Sequence, residues 1–184
     1  DQIKEVARWT KDAIVRTCNI NLLTYKDDND KEQKHSFLSI FWSLFNKMRG
    51  YNYTQFYLAQ HLEKALDEEG VLDKWHARMK ELNYDWETPT GASALAGRKL
   101  NIAIEEAKKI AANLDYEAIR ANILAKDDKV NNDTFAYEVK EYLDKFPNDG
   151  KNARLLFLAD EVSMFVNGNH SFLGQLQELI TRTS

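Results

Sequence analysis

The stretch Arg154-Leu155-Leu156-Phe157-Leu158-Ala159-Asp160-Glu161 is an unbroken apolar run closed by two adjacent carboxylates. Continuous hydrophobicity of this length, without alternation, predicts a strand of a parallel sheet that is buried on both faces. In open α/β sheets the carboxyl ends of such strands are where ligands sit, so the acid pair falls where chemistry belongs. A buried strand that merely ends in two solvated acids has the same form, and both readings stand at this point.

The chemical reading is a Walker B strand of a P-loop ATPase. Asp160 then holds the water shell of a Mg²⁺ ion, and Glu161 polarises the attacking water. The other half of such a site is a glycine-rich backbone cradle with a Lys, written G-x-x-x-x-G-K-[ST]. No stretch of the chain has that form. Thr90 to Lys99 offers glycines and a Lys at the wrong spacing, with no strand before them.

The 184 residues suffice for one well-buried core or for a compact piece of a larger domain. With 29% charged and 11% aromatic residues, the composition is that of an ordered globular chain. A net charge of −4 disfavours a large basic nucleic-acid face. The single cysteine, Cys18, excludes an internal disulfide, and the expected compartment is the cytoplasm. No apolar run approaches the roughly 18 residues of a membrane span, so no membrane partner is expected. The chain starts at Asp1 without Met or leader, and the expectation is a soluble internal piece of a longer protein.

Two prolines and seven glycines leave few breakers, which favours helices. Apolar residues at near-helical spacing from Ile3 to Cys18 predict a helix, with Cys18 on its apolar side. Ile20 to Tyr25 predicts a strand, closed by the polar turn Lys26 to Lys31. His35 to Arg49 carries too wide an apolar face for a surface helix and must be buried, with Gly50 as its C-cap. Tyr51, Tyr53, Phe56 and Tyr57 lead into a helix through Leu62 and Leu66 that stops at Gly70. A shorter helix over Val71 to Leu82 precedes a break through Asn83, Trp86, Pro89 and Gly91. Helical spacing resumes at Ile102 to Leu114 and at Tyr116 to Leu124. Asn132 or Asp133 caps a further helix through Phe146, stopped by Pro147 and Gly150. After the strand at Leu155 to Ala159 and a loop at Val166 to His170, a last helix carries Phe172, Leu173, Leu176, Leu179 and Ile180. The expected fold is mostly α with a small parallel β component.

Other clusters read as packing or surface. His35, His61, His76 and His170 are far apart and lack metal-ligand spacing. His61 and Glu63 read as surface charge on one helix, and Asp67, Glu68 and Glu69 as a solvated helix end. Asp27, Asp28 and Asp30 lack the glycine and glutamate of a calcium loop. A basic group of Lys99, Lys108, Lys109 and Arg120 is diluted by Glu105 and Glu106. No Ser sits in a G-x-S-x-G turn, so acyl transfer has no support.

Three stretches, Lys34 to Tyr51, Leu62 to Gly70 and Arg154 to Val166, resemble in order and spacing the large P-loop ATPase of bacterial BREX phage-exclusion systems. Gln175, Leu176 and Gln177 fall where that family has a similar Leu-Gln step. The resemblance covers most of the chain, with little in residues 83 to 132. It implies an internal fragment of an ATPase whose Walker A precedes this region. Residues 1–34 would be a helix and strand of the core, 35–146 a helical insertion between two strands of an incomplete P-loop NTPase-like sheet, and 147–184 the Walker B strand and following helix. It implies Asp160 as the Mg²⁺ residue and Glu161 as the catalytic carboxylate. Mg²⁺ and ATP would be cofactors of the intact parent, with neither expected on the fragment alone. Other defence-system proteins are implied partners, with DNA a candidate in the parent assembly. One departure from the family is Ser163-Met164, where a Gly-Gln pair is expected after the acids. The reading from a different class is a self-contained helical protein-protein interaction module with no catalysis.

Overall fold

The computed structural model describes residues 13–22, 36–84, 97–127, 130–146, 152–162 and 170–183. They are mostly helical, with one small parallel sheet. In chain order the elements are β1 (Ala13–Asn21), α1 (Phe37–Met48), α2 (Phe56–Leu58), a π-helical turn (Ala59–Glu63), α3 (Lys64–Glu68), α4 (Leu72–Glu81), α5 (Arg98–Ile110), α6 (Tyr116–Ala125), α7 (Asn132–Asp144), β2 (Asn152–Asp160) and α8 (His170–Thr183). By contacts the chain divides into two compact units, Asp1–Met48 with Lys129–Ser184, and Arg49–Asp128.

In the first unit β1 and β2 pair in parallel, from Ala13 opposite Asn152 to Asn21 opposite Asp160. The helix expected over Ile3 to Cys18 is therefore corrected from Ala13 onward, while residues 3–12 lie outside the described residues. The physical reason is in the side chains. Ile14, Val15, Thr17 and Ile20 are β-branched and favour extended backbone. Cys18, Ile20 and Leu22 are buried while Thr17, Asn19 and Asn21 are exposed, a period of two. The strand expected from Ile20 thus starts earlier and ends at Asn21.

Parallel register puts Cys18 beside Phe157 on one face of the sheet, and that face carries the core. Helices α1 and α7 pack on the strands. The Phe157 ring lies 4.7 Å from Phe41 and 6.0 Å from Phe135, and Trp42 and Phe45 meet Phe135 at 5.2 and 5.9 Å. A fully buried aromatic of this kind contributes about 1.5–3 kcal/mol by burial, so this cluster organises the unit. The wide apolar face of α1 is explained by this double duty against the sheet and α7. The other sheet face differs from the expected burial of both sides. Leu158 is 55% exposed there, and Asn19, Asn21 and Asp160 are exposed beside it.

Helix α7 begins at a capping box. The Asn131 side chain accepts the Thr134 N–H and the Thr134 hydroxyl accepts the Asn131 N–H, one residue earlier than the caps expected at Asn132 or Asp133. Pro147 and Gly150, the expected stop, lie outside the described residues.

The second unit holds α2 to α6 around Leu58, Leu62, Leu66, Trp75, Met79, Leu100, Ala103 and Ile123. Among its described residues the buried polar side-chain atoms are matched. Trp75 Nε1 donates to the Ala103 carbonyl at 3.0 Å, and the Tyr116 hydroxyl donates to the Ala111 carbonyl at 2.7 Å. Gly70, at φ +69°, ends α3 in a left-handed turn, where the Val71 N–H donates to the Leu66 carbonyl. Among the described residues no helix is long and apolar enough to cross a membrane.

Candidate functional site

The carboxyl edge of the sheet is where both sequence-predicted site residues fall. Asp160 is the last residue of β2, paired with Asn21 at the end of β1, and its side chain is exposed. Glu161 follows with φ +59°, a left-handed conformation that costs a non-glycine residue on the order of 1 kcal/mol. Its N–H donates to Asp160 Oδ1 at 2.8 Å, which ties the turn to the first carboxylate. An open depression of about 680 Å³ runs along the edge, lined by Asn19, Ile20, Asn21, Phe157, Leu158, Ala159 and Asp160. Parallel pairing is what makes this edge, because both strands reach it with their carboxyl ends together.

The donor set suits one part of a magnesium site. Asp160 supplies a hard, exposed carboxylate with one oxygen occupied by the Glu161 N–H, which fits a residue that holds a metal's water shell. Among the described residues, no group of three or more His, Cys, Asp or Glu side chains is placed to hold a metal ion directly. Among the described residues no lysine or arginine lines the depression. The edge can orient water and a hydrated cation, and its described residues offer no phosphate cradle. Ser163 and Met164 lie outside the described residues.

The remaining candidates separate. Asp67 accepts the Tyr51 hydroxyl at 2.8 Å and Glu69 accepts an Asn113 amide N–H at 3.1 Å, so the acidic run points in different directions. Lys108 pairs with Glu105 at 3.1 Å, Lys109 pairs with Glu106, and Arg120 donates to Asn101. Cys18 is buried, its thiol aimed at the Leu44 carbonyl 3.9 Å away, and burial pushes its pKa up to about 11. Asp27, Asp28, Asp30 and His35 lie outside the described residues.

One arrangement was invisible to spacing. Glu63, read above as surface charge beside His61, is completely buried. Its carboxylate accepts the Asn52 N–H, and its other oxygen lies 3.0 Å from His76 Nε2 on α4. The π-helical turn that ends at Glu63 adds a residue to that coil, and such turns concentrate at functional positions. The aromatic run before it was the available signal, since Tyr51, Asn52 and Tyr53 wall the same cavity.

No protein-family model matches the chain, and no solved structure matches it.

Proposed function

We propose that the chain is a piece of a nucleotide-hydrolysing ATPase domain of a bacterial phage-defence protein, resembling the BREX ATPase and lacking the phosphate-binding loop. The observation that carries this reading is the parallel, in-register pairing that ends with Asn21 beside Asp160 and brings the acid pair to the exposed carboxyl edge. In the intact parent Asp160 would hold the water shell of a Mg²⁺ ion, and Glu161 would orient and polarise water. The bound cation supplies charge neutralisation of the phosphates. The open sheet face, with Leu158 exposed, is the surface on which further core elements of the parent would pack.

The test is turnover by the intact parent. Glu161→Gln keeps the shape and removes the base, and ATP hydrolysis should fall by about 10²–10⁴-fold. Unchanged hydrolysis refutes the assignment.

The second reading, a helical interaction module without catalysis, is favoured by the exposure of Leu173 and Ile180 on α8. A parent sequence without a Gly-rich Lys-Ser or Lys-Thr motif upstream decides for it.

A further inference from the structure

The helical unit holds a cavity of about 480 Å³, within the size range of small-molecule sites. Among the described residues its walls carry one carboxylate, the buried Glu63, and one ammonium, Lys80 from α4. The two charges cancel, so the cavity gives an ion no net attraction and admits a neutral ligand.

Glu63 decides which polar atom a ligand meets. Both of its oxygens are engaged, one by the Asn52 N–H and the other at 3.0 Å from His76 Nε2. An ionised carboxylate only accepts hydrogen bonds, so the neutral ring donates from Nε2 and keeps its lone pair on Nδ1. Nδ1 has no hydrogen-bond partner among the described residues and is not sealed from solvent. The imidazole is therefore an acceptor at the cavity wall, held in one tautomer from behind.

Lys80 lies four residues further along α4 and shares the face of His76. It is exposed, with no ion-pair partner among the described residues, so its N–H groups are available as donors. Ala77 adds only a methyl group to the same wall. The aromatic component comes from the end of α4. Asn83 takes φ +56°, and the Tyr84 N–H donates to the Met79 carbonyl at 3.0 Å, which turns the chain back and sets Tyr84 at the cavity. There the half-buried Tyr84 packs against the core of the unit.

We propose that this cavity binds a neutral, planar cyclic amide, its N–H donating to His76 Nδ1, its carbonyl accepting from Lys80 and its ring against Tyr84. A lactam carries donor and acceptor on adjacent atoms, which matches an acceptor and a donor set side by side on one helix face. A carboxylate would meet the Nδ1 lone pair with a lone pair of its own, and a protonated amine would set a like charge before Lys80. Glu63 is a positioning residue that acts through His76.

Titration of the full chain with 2-quinolone in mildly alkaline buffer, followed by backbone amide NMR, tests this. Saturable shifts should concentrate at Gly50 to Asn52 and His76 to Tyr84. The long-range proton–nitrogen spectrum of the imidazoles should show His76 protonated at Nε2, with its Nδ1 resonance moving on binding. 1-Methyl-2-quinolone, which lacks the N–H, and indole, which lacks the carbonyl, should each bind about tenfold or more weaker. Ala77→Phe, at an exposed position, should fill the cavity and abolish binding while leaving the circular dichroism unchanged, and Lys80→Met should weaken binding by about fivefold or more. Absence of saturable binding, equal binding of the N-methyl compound, a His76 protonated at Nδ1, shifts centred elsewhere, or an affinity indifferent to either substitution would each overturn the proposal.

Discussion

Replacing Phe157 with Ala should destabilise the sheet unit by about 2–3 kcal/mol, while Leu158→Ala, one residue later, should cost about 0.5 kcal/mol or less. A fully buried Phe→Ala substitution costs about 3–5 kcal/mol. Phe157 is half-buried, which lowers that figure, but its ring meets Phe41 at 4.7 Å and Phe135 at 6.0 Å. Leu158 points to the opposite face and is 55% exposed, so its truncation removes little contact. Because the chain has two contact units, a single global melting curve would mix them. Amide hydrogen exchange read on the peptide spanning 152–160 isolates the strand. A loss of 2 kcal/mol shortens its protection by roughly thirtyfold if opening is at equilibrium. The reasoning fails if Leu158→Ala costs as much as Phe157→Ala. A strand displaced by one register step exchanges its two faces, and that is the result it would give.

Two further outcomes follow from the titrating groups. Cys18, with its thiol raised from 9.0 to about 11 by burial, should resist an aromatic disulfide reagent in mildly alkaline buffer and react in step with urea unfolding. Rapid labelling of the folded chain would contradict its burial. Glu106 accepts Arg78 Nε at 2.8 Å and also pairs with Lys109, and these hydrogen bonds, Arg78 first, hold its carboxyl below the ordinary 4.5. A depressed carboxyl contributes stability that is fully present above the unfolded value and is lost as pH falls through the folded one. The urea midpoint of the native chain should therefore exceed that of Glu106→Gln at neutral pH, and the gap should close well below pH 4.5. A gap that persists in acid would show that the pair is not the cause.

Much of the helical architecture was legible in the chain because its signals are local. The apolar width of Phe37–Met48, the left-handed stop at Gly70 and the helical spacing from Ile102 to Ile110 each lie within a few turns of the residues they organise, although that helix begins earlier, at Arg98, and ends at Ile110 rather than Leu114. The strand ending at Asp160 was legible for a similar reason, as a run without helical period. The segment Ala13 to Cys18 was misread because a few apolar residues fit helical and extended templates alike. What separated them was the ladder with residues 152–157, more than a hundred positions away. The acid pair was readable as residues, but its place on an open carboxyl edge depends on that parallel pairing.

By itself the sequence determined the mostly helical character, the helix stops, and a strand closed by Asp160 and Glu161. These depend on backbone propensity, periodicity and capping, which act between near neighbours. Tertiary structure alone decided which face of β2 is covered, that β1 is a strand, and that Glu63 is buried against His76 rather than exposed beside His61. Each of those outcomes depends on a partner distant in sequence, or on desolvation that exists only once the elements have packed.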